Sequence, residues 1–229
     1  MKTEQKVHHF SSGIKLESGA GLDSFNLIVE TYGELNSDKS NAVLVCHAFS
    51  GSHHAAGSVS TDKKAGWWHE LIGPDKAIDT NKYFVVAPNN LGSCFGSTGP
   101  TSHCEKTDDY YGKDFPDISV LDWVNSQEML QKKLGINAWA CVLGGSLGGM
   151  QALQWAITFP DKVKKAGIIA AAAKASSQNI ALNEVARESI RKDINFYEGD
   201  YLKKGLFPKS GRKAARMLAH ITYLSEDSM

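Results

Sequence analysis

The sequence predicts an α/β protein with a mostly parallel, doubly wound sheet, and three observations carry that reading. Four short apolar runs, Ala42–Cys46, Tyr83–Ala87, Ala138–Leu143 and Ala166–Ala170, are unbroken rather than alternating, as strands buried on both faces must be. Helical patterns stand between the later runs, so strand and helix alternate along the chain. The composition, 42% hydrophobic and 22% charged over 229 residues, is that of a globular domain rather than a disordered chain.

Taken in order, the chain opens Met1-Lys2-Thr3-Glu4-Gln5-Lys6, with an early acid and no apolar segment, so these residues are not expected to act as a secretory signal. Gly13–Glu17 and Phe25–Tyr32 alternate well enough for two strands. The buried strands Ala42–Cys46 and Tyr83–Ala87 follow. Asp117 is positioned to cap a helix running to about Leu134, with Leu121, Val124 and Leu134 facing inward and Gly135 as its stop. After the strand Ala138–Leu143, a second helix starts at Ser146 and passes Met150, Leu153, Gln154 and Ile157. It ends before Phe159-Pro160, where proline forbids continuation. The strand Ala166–Ala170 closes the sheet pattern. From Asn179 to Ser225 the chain is charged and helical with no strand-like run. This divides it into a sheet core over 1–175 and a helical lid over 176–229.

Several function classes drop out. Lys+Arg and Asp+Glu balance at 25 each, so no electrostatic footprint for nucleic acid exists. The longest apolar stretch, Ala166–Ala173, falls far short of the roughly 20 residues that span a bilayer. The four cysteines, at 46, 94, 104 and 141, include no C-x-x-C pair, which argues against a zinc site or a disulfide framework. A reducing compartment, hence the cytoplasm, is expected.

The chemistry centres on Gly144-Gly145-Ser146-Leu147-Gly148. This G-x-S-x-G pattern follows a buried strand and opens a helix, the setting of a nucleophile elbow. Side chains at the flanking positions would collide with strand and helix, so glycines stand there. The turn holds the serine hydroxyl clear at a helix N-terminus, where N–H groups and the dipole favour negative charge. Ser146 is therefore the expected nucleophile; the spacing fits neither a P-loop nor a dinucleotide fingerprint. The loop His47-Ala48-Phe49 after the first buried strand is where elbow enzymes place their second oxyanion donor. The backbone N–H groups of Phe49 and Leu147 are the expected pair. His53 and His54 are adjacent without a carboxylate or thiol at ligand spacing, which favours loop-polar roles over a metal.

At this level of detail the chain resembles the homoserine O-acetyltransferase family, a branch of the α/β-hydrolase fold. The resemblance lies in Asn41–Gly57, in Gly66-Trp67-Trp68 and in Asn89–Pro100. It continues in the extended elbow Gly144-Gly145-Ser146-Leu147-Gly148-Gly149-Met150-Gln151-Ala152-Leu153-Gln154-Trp155 and in Ala215–Ser225. It implies transfer of an acetyl group from acetyl-CoA, a substrate rather than a held cofactor, to the hydroxyl of L-homoserine through a Ser146 acyl-enzyme, in methionine synthesis. It also implies that Arg216 binds the substrate carboxylate and that lid helices pair in a homodimer. No metal is implied. A succinyl-specific or serine-specific acyltransferase, an esterase of the same fold and a non-catalytic remnant remain open.

The chain departs from the family in one respect. Elbow enzymes order their triad as Ser, then Asp or Glu, then His. After Ser146 the single histidine is His220, inside the helical run 214–224, and Asp161, Asp193 and Asp200 sit in loops or lid segments. The resemblance places the acid and the base on later strands. The chain by itself is thus expected to be an inactive part of such an enzyme, poorly soluble through an unpaired edge at Ala166–Ala170.

Overall fold

Six strands of one sheet organise residues 1–99 and 116–173. The computed structural model describes residues 1–57 and 64–229. Strands β1 (Thr3–Phe10), β2 (Phe25–Tyr32), β3 (Ala42–Cys46), β4 (Phe84–Pro88), β5 (Cys141–Gly145) and β6 (Ala166–Ile169) lie in the order β1-β2-β4-β3-β5-β6. β1 pairs antiparallel with β2 from Thr3↔Tyr32 to Phe10↔Phe25, and β2 pairs antiparallel with β4. The pairs β4–β3, β3–β5 and β5–β6 are parallel. β3 is central and all five of its residues are buried, which is why Ala-Val-Leu-Val-Cys reads as one apolar run.

Register then sets the site. Gly144 of β5 stands opposite Cys46 of β3, and Gly145 opposite Ile169 of β6. β3 and β5 therefore end side by side, and the loop entered at His47 leaves the sheet next to the turn at Ser146. Crevices at the carboxyl ends of parallel strands are where such sheets hold ligands.

Two helices pack with the sheet: α1 (Val120–Leu134) and α2 (Leu147–Thr158). The cap of α1 is Ser119, not Asp117. The Ser119 hydroxyl accepts from the Asp122 N–H at 3.2 Å while the Asp122 carboxylate accepts from the Ser119 N–H at 2.9 Å. This reciprocal box satisfies two orphan donors at once, an advantage Asp117 lacks. Gly135 ends α1 in the left-handed region at φ 69°. Of the three residues expected inward, Val124 is buried, while Leu121 and Leu134 are half-buried. The buried face of α1 is largely polar, with Gln127 and Gln131 each 1% exposed.

Two further differences from the sequence reading are local. β1 was not expected, because Thr3–His9 is polar and almost wholly exposed; its eight-residue ladder with β2 makes it a strand. The expected strand Gly13–Glu17 shrinks to Ile14–Lys15, paired with Gly21–Leu22. At the other edge β6 carries half-exposed Ile168 and Ile169, the kind of apolar edge that pairs with other chains.

Residues 100–115 and 174–229 form a second compact unit. It is built on α3 (Ser177–Arg191) and α4 (Lys209–Tyr223). The Ser176 hydroxyl caps α3 by accepting from the Asn179 N–H at 3.1 Å. Asp193 ties the connection to α4 by accepting from the Gly211 N–H at 2.8 Å. The segment 100–115 meets the connection between these helices through Lys203–Asp109 at 3.1 Å and Lys113–Asp200 at 3.2 Å. α3 buries no residue and α4 only Gly211.

Candidate active site

Ser146 is exposed and sits at φ 55°, ψ −121°, between the last residue of β5 and the first of α2. A non-glycine residue holds such a backbone only where its surroundings impose it, at a cost on the order of 1–3 kcal/mol. Three contacts impose it here. The Ser146 N–H donates to the Ile169 carbonyl at 3.0 Å, and its carbonyl accepts from the Met150 N–H at 3.1 Å. The third is the close approach of β3 to α2: a Cβ on Gly148 would stand 2.1 Å from the Cys46 carbonyl oxygen, and one on Gly144 2.4 Å from Gly148. The glycines flanking the serine thus let the elbow turn against the end of β3.

The expected oxyanion donors fall on either side of this contact. Leu147 is the first residue of α2, and among the described residues neither its N–H nor that of Phe49 has a hydrogen-bond partner. The orientation of the Phe49 N–H has a specific cause. His47 is buried, its Nε2 accepts from the Asn90 N–H at 3.1 Å, and its Nδ1 lies 2.7 Å from the Ala48 carbonyl oxygen. With Nε2 as acceptor, the proton resides on Nδ1 and is donated to that carbonyl. The Gly51 N–H donates to the same oxygen at 2.9 Å. In a trans peptide C=O and N–H point in opposite directions. Pinning the Ala48 carbonyl on the His47 ring therefore turns the Phe49 N–H the other way, while the Phe49 side chain stands 76% exposed.

The rest of the loop is held from β2. The Tyr32 hydroxyl accepts from the N–H groups of Ala55 and Ala56 at 2.9 and 3.0 Å. Burial drives its pKa well above the usual phenol range, so it stays neutral. His54 bridges the Glu30 carboxylate and the Lys64 carbonyl, both at 2.9 Å. The ring nitrogens of His47 and His54 are thus all engaged away from Ser146. Among the described residues no group of three or more His, Cys, Asp or Glu side chains could hold a metal ion.

Arg216 lies on α4 in the second unit, exposed, and lines one open groove with Lys209, Arg212, Lys213, Met217, His220 and Ile221. Among the described residues it has no carboxylate partner, in contrast to Arg191 of α3, which pairs with Glu184 and Glu188. Sequence reasoning passed over Asn90, Gln127 and Gln151, which are buried beneath the elbow. Their signal was weak, since a lone amide, on a helix for Gln127 and Gln151 or in a loop for Asn90, reads as solvent-facing.

Burial holds the His47 imidazole below the ordinary value of 6.5; the Ala48 carbonyl pulls it back and His53 pushes it further down. Below pH 6.5 the unfolded chain takes up a proton at this site that the folded chain refuses, so the stabilising contribution is complete above that pH and declines as pH falls through it. Urea midpoints measured at about pH 7.5 and about pH 5.5 are expected to drop more for the parent chain than for His47→Gln. Equal drops would contradict the buried neutral imidazole.

A family model for the alpha/beta hydrolase fold matches residues 41–227. The chain belongs to the α/β-hydrolase fold family. Within it, the homoserine O-succinyltransferase of Psychrobacter arcticus is 57% identical over 224 residues, covering 96% of this chain and 50% of that protein. The crystal structure of homoserine O-acetyltransferase from Bacillus anthracis superposes with a TM-score of 0.89 at 35% identity, over 96% of this chain and 61% of that one. Esterase E22 superposes with a TM-score of 0.91 at 33% identity, over 99% and 63%. The chain thus spans about half the length of the succinyltransferase and about three fifths of each of these solved chains. No helix among the described residues is long and apolar enough to cross a membrane.

Proposed function

We propose that this chain carries the acyl-enzyme centre of a homoserine O-acyltransferase. The observation that carries acyl transfer is the strained, exposed Ser146 with two unpartnered N–H groups on its flanks. In the first half-reaction the Ser146 oxygen attacks a thioester carbonyl, the Phe49 and Leu147 N–H groups receive the developing oxyanion, and the C–S bond breaks. Coenzyme A leaves as its thiol, carrying the proton the serine gave up. In the second, the homoserine hydroxyl takes the acyl group and returns a proton to Ser146.

Arg216 is the proposed carboxylate ligand, since a guanidinium holds a carboxylate with two parallel hydrogen bonds. The proposed compartment is the cytoplasm, and no held cofactor or metal is needed for these steps. Homoserine as acceptor is supported by the 57% identity to a protein named for that activity. The same identity supports succinyl-CoA over acetyl-CoA as donor, because the acetyltransferase of known structure stands at 35%. The likeness to an esterase keeps water as a competing acceptor.

Proton transfer sets the expected rate. The ring nitrogens of His47 and His54 are occupied elsewhere, so the chain alone is expected to acylate slowly and turn over little. Intact-mass spectrometry after incubation with succinyl-CoA or acetyl-CoA, with thiol release followed with and without L-homoserine, checks the proposal. A succinyl adduct on Ser146 that L-homoserine discharges is the expected result. An adduct indifferent to homoserine, or fast hydrolysis of short esters without thioester reaction, overturns it in favour of an esterase.

A further inference from the structure

Beneath the elbow lies a chain of hydrogen bonds that runs in one direction. The Trp155 indole N–H donates to Gln127 Oε1 at 2.7 Å. Gln127 Nε2 donates to Gln151 Oε1 at 2.7 Å and to Asn90 Oδ1 at 3.3 Å. Gln151 Nε2 donates to two backbone carbonyls, those of His47 at 3.3 Å and Leu147 at 3.4 Å. An indole can only donate, so it fixes which end of Gln127 faces it; Gln127 then fixes Gln151. Turning either amide over would set N–H against N–H or carbonyl against carbonyl. Each Nε2 donates twice and each amide oxygen accepts, and Gln151 is 0% exposed.

The two carbonyls that Gln151 straddles belong to the segments bearing the two oxyanion donors. Leu147 contributes one donor itself, and His47 precedes the Ala48–Phe49 peptide that contributes the other. We infer that Gln151, oriented by Gln127 and Trp155, is a positioning residue that sets the spacing between the Phe49 and Leu147 N–H groups. The inference rests on the acyl-enzyme reading for its catalytic consequence, though the clamp itself does not. A satisfied buried network of this kind has one low-energy arrangement. It therefore transmits the register of α1 and α2 to the loop leaving β3. The neutral His47 ring completes the arrangement from the other side of that loop.

Gln151→Met tests this, because methionine fills the volume and cannot donate. Two readouts are needed: the rate at which diisopropyl fluorophosphate labels Ser146, and the amide resonances of Phe49 and Leu147. The expected result is labelling slowed by about tenfold to a hundredfold, the loss that misplaced donors produce. Both amide resonances should shift together, and the unfolding midpoint should fall by a few degrees, because Gln127 Nε2 and the His47 carbonyl each lose a buried partner. Gln127→Leu should act in the same direction through Gln151, so the double variant should be no slower than Gln151→Met alone. Parent-like labelling with unmoved resonances in Gln151→Met overturns the inference, as do multiplying losses in the double variant. Should these variants fail to fold, hydrogen exchange in the unaltered chain decides. The side-chain amides of Gln127 and Gln151 should exchange at least about tenfold more slowly than that of exposed Gln178, and equal rates overturn the clamp. A parent chain that never labels while the resonances move as expected sinks the acyl-enzyme reading and leaves the clamp standing.

Discussion

Ser146→Gly is expected to abolish covalent labelling at the elbow and, at the same time, to raise the thermal unfolding midpoint. The two effects share one cause. The backbone at Ser146 lies at φ 55°, ψ −121°, where a residue with a Cβ is strained and glycine is not. Relief of that strain, less the extra flexibility glycine brings to the unfolded chain, leaves about 1 kcal/mol of stabilisation. For a chain of this size that corresponds to a rise of about 2–4 °C. The hydroxyl is exposed and makes no hydrogen bond to the first turn of α2, so its removal leaves no buried partner unsatisfied. Differential scanning calorimetry and intact-mass spectrometry on the same preparation check both halves. A glycine variant that melts below the parent would show that the turn is not strained. One that still forms the adduct would move the nucleophile elsewhere.

Such coupling of strain and function explains why the elbow was legible in the sequence. Gly144 and Gly148 stand where a Cβ would strike backbone at 2.4 and 2.1 Å, so the requirement is written as residue type at fixed spacing. The central strands were legible for a similar reason: burial on both faces leaves only apolar residues in β3 and β4, and β5, buried on one face and half-buried on the other, is apolar as well. β1 was not, because its side chains face solvent and its strand character comes from main-chain pairing with β2. The cap of α1 was two residues off because Asp117 and Ser119 are both good caps by type; the Ser119–Asp122 reciprocity decides between them. Gln127, Gln151 and Asn90 were illegible as a group. They lie on α1, on α2 and in the loop after β4, and only the folded sheet gathers them. Likewise, nothing in the composition of residues 100–115 joins them to the connection between α3 and α4, which they meet through Lys113–Asp200 and Lys203–Asp109.

Gly148→Ala should produce a large loss of stability, matched among the elbow glycines by Gly144→Ala, whose Cβ would also strike backbone, at 2.4 Å from Gly148. The new Cβ at Gly148 would lie 2.1 Å from the Cys46 carbonyl oxygen, 2.8 Å from the Cys46 carbonyl carbon and 3.1 Å from the His47 carbonyl oxygen. All three are backbone atoms, and none can yield by changing a rotamer. Cys46 is fixed in the central strand by its pairing with Gly144 of β5, so relief requires α2 to move away from the sheet. That motion breaks the buried contacts of Ala152 and Trp155 and draws Gln151 off the His47 carbonyl. Overpacking against an unyielding neighbour costs about 3 kcal/mol or more, which predicts a fall of roughly 6–12 °C in the unfolding midpoint. Gly145→Ala is the control, since its Cβ would meet nothing closer than the Trp68 ring at 3.9 Å. It should change the midpoint far less. Equal losses at the two positions would mean that the elbow glycines serve the turn's backbone conformation rather than the approach of α2 to β3. A large loss at Gly148 without one at Gly145 would identify the close approach of α2 to β3 as what demands glycine there.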